Sequence, residues 1–292
     1  MLHLFLGVLG LGFFIVNTIF WCSLFYPFVV FKAIFPTEKM TNFIRKTLVF
    51  LAESWIACNT LFLKIMVPVK IHFKLPTDLK KRATYLVISN HRSWVDIIAL
   101  QYVFNKKVPF FRFFIKDSLK WIPFIGVAWK FLDFPFMKRT KGSKDLETAK
   151  QACRKFKDIP ASILIFLEGT RFSSEKRLKL KSKFKSLLPP KVGGATSVID
   201  TLGDQMEYII DVTIVYPQNS GTSFWSLLSG RLKDVWVDVR EIQIPEKFRH
   251  GHLLQNPELK KEFDAWINQI WAQKDQIIET IRRTQMMEPV CL

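Results

Sequence analysis

The sequence predicts an α/β domain, a mostly parallel central sheet flanked by helices, preceded by an N-terminal membrane helix and a second apolar, interfacial helix. Three observations carry this. Residues 1–31 contain no charged side chain. Short apolar, β-rich runs then alternate with helical patterns, the arrangement of a parallel sheet. No internal repeat or low-complexity linker divides the rest. The boundaries drawn are 1–70 for the anchor and interfacial helix and 71–292 for one domain.

Leu4 to Val30 is long enough to cross a hydrocarbon core of about 30 Å. A cleaved signal peptide would need a basic start, a shorter apolar core and a small-residue cleavage site, and residues 1–31 lack them. Gly7, Gly10 and Gly12 fit membrane-helix packing, and Pro27 is expected to end or kink the helix. Lys32, Lys39, Arg45 and Lys46 follow, which puts this end on the cytoplasmic side by the positive-inside rule. A bacterial inner membrane is the expected location. Thr47 to Val69 is apolar but interrupted by Glu53 and Lys64. It reads as a helix in the interface or beside the first, or as a buried helix of the domain.

Within the domain, Ala83–Ser89 is a short continuous apolar run suited to a buried strand, and Asp96 to Tyr102 is helical. Lys144 to Phe156 is an amphipathic helix stopping before Pro160. Ser162–Leu167 and Tyr208–Tyr216 are further buried strands. Val235, Val237 and Val239 alternate with Trp236 and Asp238, a half-exposed strand. Leu259, Phe263, Trp266, Ile267, Ile270 and Trp271 begin one face of a last helix that runs to Ile281.

The chain has 43 Lys+Arg against 25 Asp+Glu, a net charge of +18, yet 49% of its residues are hydrophobic and 28 are Phe. A disordered basic tail would be poor in apolar residues, and a polytopic transporter would need many uncharged runs. Nucleic acid and anionic membrane both fit the charge. Cys22, Cys58, Cys153 and Cys291 form no C-x-x-C pair, no zinc-site spacing and no evident disulfide framework. No metal site is expected. G-x-S-x-G, G-x-x-x-x-G-K-[ST] and H-E-x-x-H are absent, which removes the commonest hydrolase, nucleotide and metalloprotease readings.

Two segments carry candidate chemistry, each after a buried strand, where α/β sheets place their sites. The first is Asn90–Asp96 (NHRSWVD). His91 suits proton transfer near neutral pH. Asp96 in the first helical turn can fix its tautomer and support the imidazolium, and gains from the helix dipole. Ser93 reads as a cap or, alternatively, as a covalent nucleophile. The second is Phe166–Phe172 (FLEGTRF). Gly169 permits an unusual backbone angle or close ligand approach. Thr170 offers a hydroxyl, and Arg171 a planar fork suited to phosphate.

Together these segments resemble the glycerophospholipid acyltransferase family, whose type member is 1-acylglycerol-3-phosphate acyltransferase. Asn90, His91 and Asp96 match its N-H-x-x-x-x-D motif. Phe166, Glu168, Gly169, Thr170 and Arg171 match F-x-E-G-T-R. Lys116 to Gly126, running on to Phe136–Arg139, resembles the second motif, and Val212 to Pro217 the fourth. That fourth motif usually begins Val-Pro, whereas Thr213 follows Val212 here. The four motifs keep their order over residues 85–217. Leu187–Lys191 with Gly193 and Gly194 looks like the branch of the YihG-type bacterial and lysocardiolipin-type enzymes.

The resemblance implies that His91 is the general base acting on the free hydroxyl of a lysophospholipid, most readily 1-acylglycerol-3-phosphate, and that Asp96 orients it. The hydroxyl attacks an acyl thioester directly. The donor is acyl-CoA or acyl carrier protein, a co-substrate, and no cofactor is implied. Arg171 and Lys116 hold the acceptor phosphate, with a weaker role for Arg139. Glu168, Gly169 and Thr170 shape that loop and contact the glycerol. Amides at the helix start are candidates for the oxyanion.

Lys176, Arg177, Lys179, Lys181, Lys183 and Lys185 follow Arg171, interleaved with Leu178, Leu180 and Phe184. The run is a solvated loop, or it meets anionic headgroups or the phosphates of coenzyme A. Trp121, Trp129 and Phe110–Phe114 bury in the interface, line an acyl tunnel or fill the core. His72, His250 and His252 form no convincing metal set. Rival readings are a non-catalytic basic lipid- or nucleic-acid-binding membrane protein, with binding steeply dependent on salt, and a Ser93 esterase. With the family motifs in place, the expected partners are the lysophospholipid, the thioester donor and an anionic membrane, not nucleic acid.

Overall fold

The computed structural model describes residues 1–35, 37–122, 124–137, 143–157, 159–218, 220–250 and 252–287. In chain order the elements are α1 (Leu2–Ile34), α2 (Glu38–Met66), β1 (Lys70–Lys74), β2 (Tyr85–Ser89), α3 (Val95–Phe104), β3 (Phe111–Phe113), β4 (Ile115–Lys116), α4 (Ile125–Phe131), β5 (Phe136–Met137) and α5 (Ser143–Arg154). They continue with β6 (Ser162–Phe166), α6 (Ser174–Lys179), α7 (Gly193–Leu202), β7 (Tyr208–Val215), α8 (Phe224–Leu228), β8 (Asp234–Gln243), α9 (Glu246–Arg249) and α10 (Pro257–Met287).

Six strands form one sheet in the order β1-β8-β7-β2-β6-β3, parallel throughout except where β7 meets β8. β4 and β5 make a separate parallel ribbon. The central strands are covered on both faces, so they read as unbroken apolar runs. Leu86, Ile88, Ile163 and Ile165 face α7 and α10. Tyr85, Val87, Leu164 and Ile210 face α3, α8 and the end of α2.

α1 runs on through Pro27 to Ile34. The helix does not end at the proline, and Val29 beyond it is buried in one cluster with Ile44 and Leu48 of α2. α2 starts earlier than the apolar run, at a Thr37 cap whose hydroxyl accepts the Met40 amide. It turns back along α1, where Asn17 donates to Asn59 at 2.9 Å and the Trp55 indole donates to the Thr18 hydroxyl. α1 is also fastened along the sheet domain. His3 Nδ1 meets the Ser229 carbonyl at 2.7 Å, and the Tyr26 hydroxyl donates to the Phe124 carbonyl at 2.8 Å. α1 and α2 are each long and apolar enough to cross a bilayer.

Candidate active site

The carboxyl ends of β2, β6 and β7 converge on one point. Asn90 continues the β2–β7 ladder with its side chain, donating to the Ile214 carbonyl and accepting the Ile214 amide, both at 2.8 Å. That double bond ends β2 firmly and turns the next residue, His91, out of the sheet. The His91 carbonyl accepts the Phe172 amide at 2.7 Å, which clips the two motif turns together.

His91 Nδ1 lies 2.8 Å from Asp96 Oδ2. The same oxygen accepts the Arg92 amide at 2.6 Å and the Ser93 amide at 2.9 Å, and the Tyr216 hydroxyl donates to Oδ1. Asp96 is fully buried, so its charge is sustained by these donors rather than by water. With Nδ1 held as a donor to the carboxylate, Nε2 is the basic nitrogen. The ring stacks on Phe166 with centroids 4.1 Å apart, and the side chain keeps 18% exposure. The amides of Arg92 and Ser93, just before the helix, are both engaged by Asp96. Ser93 is a cap: its hydroxyl donates to the Thr222 carbonyl and accepts the Val95 amide.

Glu168 is almost wholly buried behind His91. Oε1 accepts the His91 amide at 2.8 Å and Oε2 the Leu188 amide at 3.0 Å. Burial pushes its carboxyl up to about 7, against the pull of those two amides. Both oxygens therefore serve the loops around His91. Gly169 has φ +64, and a Cβ there would lie 3.0 Å from Lys191 Cδ. The Thr170 hydroxyl accepts from Lys176 Nζ at 2.9 Å, as does the Arg171 carbonyl. The Arg171 guanidinium is exposed and stacks over the Trp94 ring at 5.3 Å. Burial lowers the Arg92 pKa, with nearby Arg282 adding to it, and its guanidinium stacks on Phe172 at 4.8 Å.

Lys116 is exposed on the β4–β5 ribbon, paired with Met137, and no contact described ties it to His91. Arg139 lies outside the described residues. Tyr216, Lys176 and Lys191 are brought to the two motif turns by the structure, where sequence reasoning does not place them. Lys191 stood in a motif-like stretch; Tyr216 carried no local signal beyond ending a strand before Pro217.

An apolar cavity of about 470 Å³ lies between α1, α2, α3 and α4. Trp94 and Ile97, from the turn and helix that carry His91 and Asp96, form part of its wall. Phe14, Trp55, Phe113 and Trp129 form more. Trp121 takes no part and is 79% exposed.

The sheet-end His–Asp pair sits on the turn and helix that contribute Trp94 and Ile97 to an apolar cavity, with an exposed arginine stacked on Trp94, an arrangement chemically able to take a proton beside an apolar ligand. Residues 70–217 match the Acyltransferase family, and the chain belongs to that family. It is 28% identical over 216 residues to an uncharacterized acyltransferase of Schizosaccharomyces pombe, covering 68% of this chain and 60% of that one. It is 26% identical over 181 residues to human 1-acyl-sn-glycerol-3-phosphate acyltransferase gamma, 59% of this chain and 46% of that one. To lysocardiolipin acyltransferase 1 of Gallus gallus it is 27% identical over 211 residues, 65% and 52%. The chain thus spans 46–60% of the length of these relatives. The crystal structure of the 1-acyl-sn-glycerophosphate acyltransferase PlsC of Thermotoga maritima shares the fold, with TM-score 0.57, 15% identity, and 96% and 98% of the two chains covered.

Proposed function

We propose that this chain acylates a lysophospholipid, 1-acylglycerol-3-phosphate foremost, to give phosphatidic acid, with acyl-CoA or acyl carrier protein as donor. The observation that carries the proposal is the His91–Asp96 pair on the turn and helix whose Trp94 and Ile97 line the apolar cavity, with Arg171 stacked over Trp94. His91 Nε2 takes the proton from the acceptor hydroxyl as that oxygen attacks the thioester carbonyl. The tetrahedral intermediate collapses, the carbon–sulfur bond breaks, and the imidazolium returns its proton to the thiolate. Asp96 stabilises the imidazolium. Arg171 pairs with the acceptor phosphate, and the cavity holds an acyl chain.

The same reading seats α1 and α2 in a membrane. From His3 to Tyr26 the helix rises about 35 Å, more than the hydrocarbon core of about 30 Å. Both points are bonded to the catalytic domain. A crossing α1 would draw the domain into the hydrocarbon, so the hairpin rests in one leaflet, on the cytoplasmic side, with its outer apolar face immersed. This reading is an alternative to a simple span of α1.

The test is full-length protein in vesicles with acyl-CoA and lysophosphatidic acid, the product read by mass. Acyl transfer is expected, and a folded His91→Ala variant should be inactive. Normal turnover in that variant overturns the mechanism.

A further inference from the structure

We propose that α6 and the loop after it form a second membrane contact, separate from α1 and α2, that docks on an anionic bilayer beside the acceptor-phosphate arginine. The proposal rests on the acyltransferase reading for the role of Arg171; the surface itself is argued from its own residues.

α6 is short and rich in cations: Lys176, Arg177 and Lys179 lie on it, and Lys181, Lys183 and Lys185 on the loop beyond. Glu175 is the one acid between Arg171 and Lys191. Among these cations stand Leu178, 70% exposed, and Leu180, 49% exposed. The sequence contains enough apolar residues to fill its core, so two leucines held outward in one small protrusion need a reason. A solvated loop has no use for them. A nucleotide's phosphates would employ the lysines and leave the leucines in water. A bilayer with anionic lipid satisfies both, since leucine side chains enter the headgroup–acyl boundary while lysines stay at the phosphates.

The protrusion is rigidly joined to the site. The Ser173 hydroxyl caps α6 by accepting the Lys176 amide. Arg177 Nε donates to the Phe184 carbonyl at 2.9 Å, and the Ser182 hydroxyl to the Leu187 carbonyl at 2.8 Å, closing the loop on itself. Asp275 of α10 accepts the Lys185 and Ser186 amides, both at 2.8 Å. Lys176 Nζ holds Thr170 and the Arg171 carbonyl. Phe224, which shares the cavity wall with Trp94, meets Phe14 of α1 edge-on at 5.3 Å. Trp94 thus lines one cavity with Phe14 of α1 and stacks under Arg171, whose carbonyl Lys176 of α6 holds. Seating Leu178 and Leu180 in a bilayer sets the Arg171 guanidinium at the height of the lipid phosphates, where a lysophosphatidic acid headgroup waits.

The experiment uses the full chain in vesicles of phosphatidylcholine alone or with a third phosphatidylglycerol. Trypsin reads the surface without any turnover, because the run holds six cleavable residues, and α1 and α2 keep every variant on the vesicle. Cleavage between Lys176 and Lys185 is expected to slow at least tenfold on the anionic vesicles. The protection should vanish in Leu178→Ser/Leu180→Ser. It should weaken about fivefold for each lysine changed among Lys179→Gln, Lys181→Gln, Lys183→Gln and Lys185→Gln. On vesicle-borne acceptor these variants lose the stimulation by anionic lipid. On a monomeric short-chain lysophosphatidic acid they keep the parent rate. Equal cleavage on both vesicles overturns the proposal. So does protection by coenzyme A on phosphatidylcholine, or a raised KM for acyl-CoA, since either assigns the run to the donor. Protection without acyl transfer on any acceptor would defeat the acyltransferase reading and leave the docking surface standing.

Discussion

Asp96→Asn separates the charge of Asp96 from its shape. Three donors converge on Oδ2: His91 Nδ1–H and the amides of Arg92 and Ser93. Among the described residues Oδ1 meets only the Tyr216 hydroxyl, which can rotate to accept. An asparagine therefore places its oxygen at Oδ2 and its amino group toward Tyr216. His91 keeps its tautomer and its position, and only the negative charge is lost. A unit charge pair about 4 Å apart at an effective dielectric of about 20 is worth about 4 kcal/mol. With half to all of the imidazolium charge developed in the transition state, about 2–4 kcal/mol is lost. That corresponds to roughly 30- to 1,000-fold in kcat. The roughly 10,000-fold loss of a triad whose histidine is forced into the wrong tautomer is not expected. The assay is steady-state acyl transfer to vesicle-borne lysophosphatidic acid, with a thermal melt on the same sample. The expected result is a fall in kcat, a KM within twofold, and an unchanged melt. A kcat within threefold of the parent, or a loss confined to KM, would refute the assignment of Asp96 to the imidazolium.

Tyr216→Phe removes a buried donor to a carboxylate, a bond of about 1.5–3 kcal/mol. Steady-state kinetics should show kcat down about tenfold or more, with KM nearly unchanged and a lower melt. Glu168 has its carboxyl raised from 4.5 to about 7, so between those values the folded chain holds the proton that the unfolded chain has released. Stability should fall by about 3 kcal/mol as pH rises through that window and level off above it, read as urea midpoints from pH 4.5 to 8. In Glu168→Gln that slope disappears. Its amino group also faces a backbone N–H of His91 or Leu188, which costs about 1–3 kcal/mol of stability. Ala52→Trp fills part of the apolar cavity, and competition between long and short acyl-CoA donors should swing toward the short. For α1 lying in one leaflet, tags at residue 1 and beyond residue 287 should be digested from the same side of sealed vesicles. Tags on opposite sides would restore a crossing helix.

The parts legible in the sequence share a physical cause. β2, β6 and β7 are covered on both faces, so burial wrote an apolar run into each. β1 lies at the exposed edge with alternating Lys70, His72 and Lys74 and gave no such signal. β3 is three residues inside a phenylalanine-rich stretch. α7 opens on Gly193 and Gly194, poor helix formers, and is held by burial of Ala195, Val198 and Ile199 rather than by propensity. His91, Asp96 and the Glu168–Arg171 turn were legible because each follows a buried strand at a recognisable spacing. Tyr216 reaches Asp96 only because β7 pairs with β2 in a register that sets Val212 opposite Ser89, and register between parallel strands distant in sequence leaves no local trace.

In a chain of net charge +18, the interior of the catalytic domain is organised by acids. Asp96 accepts from four donors, His91 among them. Glu168 ties the His91 turn to the strand-end loop before α7. Asp211, on β7, is fully buried between Arg240 and Lys274, at 2.6 and 2.7 Å. Lys274 belongs to α10 and also donates to the Val212 carbonyl and the Thr213 hydroxyl, so it fastens that helix across the strand beside β2. Each carboxylate is matched by amides or cations that water cannot replace, and breaking such a set by removing one partner leaves a buried charge uncompensated. The cations of α6, its loop and the Arg171 turn lie at the surface, exposed or half-buried. Buried acids thus fix the shape of the site, while the cations around Arg171 are left at the surface.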